Sequence, residues 1–386
     1  MRITIFFLLV ALLIPAQASA FEVAGWVPWW QDTMGTKSAK NNIRDLDIIY
    51  PFAYEVESGG GIVDKADLED DKWQDLFDRA EDKDVLIIPS VAWFNGADIH
   101  EVLSNKTKRS AHIDEIVDMV KEGGYDGVNI DYESKLSKTI DYYSIFLEEL
   151  KDELGKKKLT CTVEPRTPPE YLYRDIPATI EYANDYKEIA KHCDWVEIMA
   201  YDQQRAAHYF NEAGKGYPYI PVADAKWVET VVELALKDIP AEKIMLGVPT
   251  YGRQWTLTVA PEWYKSYKSV SSINQPDADE LADDYDVEPG RNQAGELSYS
   301  FFPEDSPYKI IDILPTPKGT PVGMESAAKA LFFATATGME VPVNIVWYSD
   351  AKAIDEKIDL IEKYDLKGVA LFKIDGEEDK KIWRLF

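Results

Sequence analysis

The chain has 386 residues, 46% of them hydrophobic and 29% charged, a balance that suits a globular protein and excludes wholesale disorder. With 42 Lys and Arg against 69 Asp and Glu, a formal charge of −27, it repels nucleic acid and anionic membranes, whose phosphates must be met by basic groups. Two cysteines, Cys161 and Cys193, and four histidines make no zinc cluster, and no metal or cofactor is expected.

Residues 1–20 read as an export signal. Ile3 to Ile14 is apolar apart from Thr4, Pro15 breaks the run, and Ala18-Ser19-Ala20 supplies the small residues that signal peptidase requires. About twelve apolar residues are too few to span a bilayer. The mature protein is therefore expected to start at Phe21, to be secreted or held in the cell envelope, and to make no membrane contact once the signal is removed. Cys161 and Cys193 pair if the protein is exported and their strands lie side by side in register.

Beyond the signal, short apolar runs recur at residues 23–30, 47–54, 85–93, 127–133, 159–163, 195–201, 244–251 and 368–374. Helix-period stretches such as 111–121 and 141–154 lie between them. Eight strands with intervening helices are the count of an α/β (β/α)8 TIM barrel, whose strands are parallel. Between the seventh and eighth runs the chain is far longer than one crossover helix needs. Residues 256–345 are rich in Pro, Asp, Ser and Tyr, with β-like pieces at 297–302 and 343–348. They read as an α+β insertion between strand 7 and strand 8, at the face where a barrel carries its active site. The division is then 21–255 for barrel strands 1–7, 256–345 for the insertion and 346–386 for the end of the barrel with strand 8. A monomer is expected.

The chemistry concentrates at the end of the fourth strand. In Asp126-Gly127-Val128-Asn129-Ile130-Asp131-Tyr132-Glu133 side chains alternate between faces. Val128, Ile130 and Tyr132 pack under the helices, while Asn129, Asp131 and Glu133 step inward toward the mouth. Stacked polar groups inside a barrel are costly unless they bond to one another or do chemistry. Two close carboxylates resist ionising together, so one keeps its proton as a general acid does. The outermost, Glu133, is the natural donor.

This segment resembles the DGxDxDxE signature of glycoside hydrolase family 18, the chitinase-like family. Met199-Ala200-Tyr201-Asp202 is similar to the family's Met-x-Tyr-Asp, Gly247-Val248-Pro249-Thr250-Tyr251-Gly252-Arg253 to its GxPxYGR, and Gly368-Val369-Ala370-Leu371-Phe372-Lys373 to its closing strand. The wording is nearest to the bacterial branch with spore-germination-type peptidoglycan hydrolases, without that branch's LysM repeats. The resemblance implies a hydrolase acting on an N-acetylglucosamine-containing polysaccharide, chitin-type or peptidoglycan, at β-1,4 bonds. It also implies substrate-assisted catalysis. Glu133 protonates the glycosidic oxygen and the 2-acetamido oxygen attacks the anomeric carbon to give an oxazolinium ion. Asp131 orients the acetamido N–H, Tyr201 bonds its carbonyl, and Asp202 helps hold the distorted sugar. Met199, of the same motif, and Asn129 are expected at the substrate.

Departures from the pattern are informative. Asn129 replaces the first inward Asp. Ser90-Val91-Ala92-Trp93 is what remains of the third-strand SxGG; Ser90 is either bonded to the inner polar stack or a plain core serine, and is taken with the substrate-binding set. Trp26 stands where a Tyr is usual, and Phe372 where most active members have the Trp that floors the −1 sugar. Glu197 lies on the inward face, where most members carry an uncharged polar group; it reads as paired low in the barrel. Trp29, Trp30 and Trp93 are either sugar platforms or packing, with Trp29 taken as a substrate contact. Arg253 either contacts substrate or pairs with a carboxylate. Glu164, at the end of the fifth strand, either lines the cleft or is a solvated loop acid, the second being preferred, and Asn105-Lys106-Thr107 fits a glycosylation sequon. The rival function is a lectin-like protein on the same barrel, as arises when the acid is lost; here Glu133, Asp131 and Tyr201 are all present.

Overall fold

The computed structural model describes residues 21–173, 175–206, 217–261 and 263–386; the export segment expected at 1–20 lies outside them. The chain starts with β1 (Glu22–Pro28), β2 (Ile48–Val56), a short β3 (Ile62–Asp64) that folds back on β2, β4 (Leu86–Ile87), β5 (Ser90–Trp93), β6 (Gly127–Tyr132), β7 (Lys158–Val163), β8 (Trp195–Met199) and β9 (Ile244–Pro249). It then builds β10 (Tyr251–Val259), β11 (Tyr264–Asn274), β12 (Gly290–Arg291), β13 (Leu297–Phe301) and β14 (Val341–Tyr348), and returns as β15 (Gly368–Phe372).

Strands β1, β2, β5, β6, β7, β8, β9 and β15 pair in parallel, and β1 bonds to both β15 and β2, so the sheet closes on itself with no free edge. Closure sorts side chains by alternation. Val128, Ile130 and Tyr132 join the layer under the helices, where Tyr132 stacks on Phe146 with ring centroids 5.6 Å apart. Inside, Trp26, Tyr50, Phe52, Trp195 and Met245 form a separate apolar plug. The helices begin where the sequence supplies caps: the Asn105 side-chain carbonyl accepts from the Thr107 and Lys108 amides at 3.0 and 3.2 Å. The sequon asparagine is thus a helix cap. Cys161, on β7, and Cys193, just before β8, form a disulfide with Cα atoms 6.2 Å apart. Both strands are neighbours, in the register Cys161↔Val196.

Strands β10 to β14 make an antiparallel sheet in the order β11-β10-β14-β13-β12, with helices Gln275–Asp284 and Glu325–Thr337. Only Thr250 separates β9 from β10, so this sheet rises directly from the barrel's C-terminal mouth. Buried Glu296 fixes it there, accepting the Val222 and Ala223 amides at 2.9 and 2.7 Å.

Candidate active site

The barrel floor is polar and closed. Register sets Ser90, Asn129, Thr160 and Trp195 level across β5 to β8, with Thr162 beside Glu197 one step higher. Asn129 Oδ1 accepts from Ser90 Oγ at 2.8 Å and Thr162 Oγ1 at 3.1 Å. Its Nδ2 donates to Thr160 Oγ1 at 2.8 Å and Glu197 Oε2 at 3.1 Å, which fills the amide's capacity of two bonds accepted and two donated. Tyr50 donates to the other Glu197 oxygen and takes a bond from Trp195 Nε1 at 2.8 Å. Trp26 Nε1 reaches Ser90 Oγ at 3.2 Å. Burial pushes the Glu197 carboxyl up to about 7, against the hydrogen bonds that favour its charge. An Asp at 129 would set two carboxylates face to face; the amide instead donates to Glu197. The two departures from the signature therefore fit each other.

Above this floor opens a cavity of about 620 Å³ lined by Asp131, Glu133, Met199, Tyr201, Asp202, Arg253 and Phe372, along with Trp26, Trp30, Phe52 and Glu164. Smaller cavities of about 260 and 270 Å³ continue past Glu164 and past Trp30. Phe372 lies among rings: Tyr201 stacks on it at 5.4 Å, with Trp26, Phe52 and Tyr251 edge-on at 5.8, 6.3 and 6.2 Å. The result is an apolar platform at the cavity base.

Asp131 is 3% exposed, and its Oδ1 is buried with no hydrogen-bond partner among the described residues. Burial first, then the charges of Glu133 and Glu164, hold its carboxyl well above the usual range, with Lys135 opposing. Burial likewise raises the Tyr201 hydroxyl, as do the nearby Tyr251, Asp131, Glu133 and Asp202, so it stays a neutral donor. Asp202, at φ +54°, accepts Arg253 Nη2 at 2.6 Å and Nε at 3.1 Å, Tyr251 OH at 2.9 Å and Gln204 Nε2 at 3.0 Å. Arg253 thus pairs with a carboxylate at the cavity wall.

Three expected substrate contacts sit elsewhere. Ser90 and Asn129 are 0% exposed and outside the cavity lining; they spend their hydrogen bonds in the barrel floor beneath Asp131. Trp29 packs on the barrel core, with Lys65 over its ring at 5.4 Å. β1 ends at Pro28, and a single 3-10 turn over Trp29–Gln31 brings Trp30, 46% exposed, to the cavity instead. Trp93 is core, 5.4 Å from Tyr132 and from His112. Glu164, read as a solvated loop acid, lines the cleft. Extending the two-residue step from Thr160 and Thr162 would have placed it there. Phe52 faces inward two residues after Tyr50 by the same rule.

A closed parallel barrel with carboxylates and an aromatic platform at its C-terminal mouth is the construction of a glycoside hydrolase. The sequence profile of glycosyl hydrolases family 18 matches residues 26–377, and the chain belongs to that family. It is 23% identical over 293 residues to the uncharacterized glycosylase YvbX of Bacillus subtilis, covering 75% of this chain and 69% of that one. It is 23% identical over 275 residues to the cortical fragment-lytic enzyme of the same organism, covering 71% of this chain and 52% of that one. The chain thus spans about half the length of that second relative. Among solved structures, the spore cortex-lytic enzyme SleL of Bacillus cereus superposes with a TM-score of 0.68 at 19% identity, over 95% of this chain and 73% of that one. A chitinase from Chromobacterium violaceum gives 0.68 at 17%, over 95% and 97%. These likenesses concern the fold.

Proposed function

We propose that the protein is an exported glycosidase that cleaves β-1,4 bonds beside N-acetylglucosamine in a chitin-type or peptidoglycan glycan, with retention and with the substrate's acetamido group as nucleophile. The observation that carries this reading is the bare Asp131 oxygen. A buried acceptor without a donor is costly, and the residue that carries it lines a cavity with an aromatic platform and Glu133 on its wall. A sugar seated on Phe372 would bring its acetamido N–H to Asp131. Glu133 gives its proton to the glycosidic oxygen as the bond to the anomeric carbon breaks. The acetamido oxygen closes on that carbon, and Asp131 stabilises the positive charge on the ring nitrogen while Tyr201 steadies the oxygen. Water then adds from the face the leaving group vacated, giving its proton to Glu133 and reopening the oxazolinium, so the configuration is kept.

The relatives support a polymeric N-acetylated substrate, being named as cortex-lytic enzymes and chitinases. The test is release of reducing sugar from chitooligosaccharides and purified peptidoglycan by wild type and Glu133→Gln. Release by wild type alone is expected. Binding without release by wild type would instead mark a lectin, and activity surviving in Glu133→Gln would show that another group is the acid.

A further inference from the structure

We infer that Glu164 is a positioning residue for the proton donor: it pins the turn that carries Glu133 and, together with the buried Lys135, sets the pH range over which Glu133 holds its proton. This rests on the reading of Glu133 as the acid. Glu164 has no place in the family signature; it follows β7, and it lines the same cavity as Glu133 and Asp131.

The geometry brackets the acid on both sides. Glu133 N–H donates to the Trp93 carbonyl at 2.8 Å. The next amide, of Ser134, donates to Glu164 Oε1 at 2.9 Å, and Ser134 sits at φ +57°. A non-glycine residue holds that left-handed conformation only when its surroundings over-determine it. Here Gly96 is part of them, because a Cβ at 96 would lie 2.1 Å from the Ser134 carbonyl oxygen. On the other side, Lys135 Nζ donates to the carbonyl of Tyr132. The two anchors face each other, with Lys135 Nζ 3.8 Å from Glu164 Oε2; that oxygen also accepts from Asn184 Nδ2 at 2.8 Å.

The charges follow from this placement. Burial alone would raise the Glu164 carboxyl, but the Lys135 ammonium and the bonds from Ser134 and Asn184 hold it below the usual range, so it stays ionised. Burial lowers the Lys135 ammonium, with Glu164, Asp131 and Glu133 opposing, and the ammonium also lies 4.6 Å over the Tyr143 ring. Other titratable groups around the pair include Tyr186, whose hydroxyl donates to the Glu164 carbonyl at 2.7 Å, Arg166, stacked on Tyr186 at 4.0 Å, and Tyr173, Glu181 and Tyr182, which line the smaller cavity past Glu164. Across the cavity are Tyr201, Glu55, Asp202 and Arg253, and Glu197 lies below. A fixed anion near a carboxyl opposes its ionisation and a fixed cation favours it. Glu164 and Lys135 therefore act on Glu133 in opposite senses.

The experiment compares Glu164→Gln and Lys135→Met with wild type by the alkaline limb of kcat/KM on a chitooligosaccharide and by carboxyl-13C NMR titration of Glu133. Gln still accepts the Ser134 amide but leaves Lys135 uncompensated, so the limb and the Glu133 titration fall by about one pH unit. Met leaves Glu164 uncompensated, and both rise. A merely structural ion pair would lower the melting temperature in each variant and move neither titration. Unmoved titrations, or movement of both variants in one direction, would overturn the inference. Should one variant fail to fold, the sign of the other decides alone. An inactive wild type sinks the glycosidase reading, yet the NMR titration still tests the pair.

Discussion

Asn129 Nδ2 donates to the Glu197 carboxylate at 3.1 Å inside the barrel, beneath Asp131, and the pair explains two substitutions that look unrelated in sequence. The strand that carries the acid has an amide where the family signature has a carboxylate, and a buried carboxylate, Glu197, stands against it on β8. Asn129→Asp alone should cost about 3 kcal/mol of stability, because it puts two buried carboxylates in contact. The cost should be largest above pH 7, where Glu197 gives up its proton, and smaller below. Adding Glu197→Gln should restore most of it. Chemical denaturation of the four proteins of this cycle at pH 6 and pH 8 checks both points. An additive double mutant would refute the pairing.

Phe372 should act as the platform for the sugar next to the cleaved bond. Phe372→Leu keeps an apolar side chain but removes the flat face that Tyr201 stacks on. KM for an N-acetylated oligosaccharide should rise roughly three- to tenfold, with a smaller change in kcat. An unchanged KM would place the sugar elsewhere in the cavity.

His112 should make stability depend on pH. It is enclosed by Trp93, Tyr132 and Phe146, its Nδ1 lies 2.6 Å from the Gly60 carbonyl oxygen, and burial pushes it down to about 4 from the ordinary 6.5. A depressed pKa means that the folded state resists protonation. Stability from this site is therefore complete above pH 6.5 and is lost as pH falls toward 4, by about 3 kcal/mol. Glu197, raised to about 7, works the other way: its cost is absent below about 4.5 and full above 7. The wild-type curve alone thus blends the two. The difference between wild type and His112→Gln isolates the histidine, and should shrink between pH 6.5 and 4. A constant difference would contradict the assignment.

The period of two was enough to read the heart of the site. Asn129, Asp131 and Glu133 alternate with Val128, Ile130 and Tyr132, and a closed sheet must turn one set inward. Glu164 obeys the same period one residue beyond β7, where the strand has already ended and alternation alone no longer fixes the side chain's direction. Trp29 and Trp30 could not be told apart, because alternation stops at Pro28 and the 3-10 turn rotates the wrong ring away. The pairing of Cys161 with Cys193 needs the adjacency of β7 and β8, a property of the closed barrel that no local pattern holds. The sheet from β10 to β14 was less legible still. Its central pair joins Gly252 to Tyr348 and Val259 to Val341, across most of the insertion. Such contacts are set by tertiary packing, and spacing along the chain carries little trace of them.

The most direct test compares turnover of a fully N-acetylated chitooligosaccharide with that of its de-N-acetylated counterpart of equal length, under the same conditions. If the sugar's own amide is the nucleophile, the first is cleaved and the second is not. Comparable rates on both would require a nucleophile from the protein and would contradict the account.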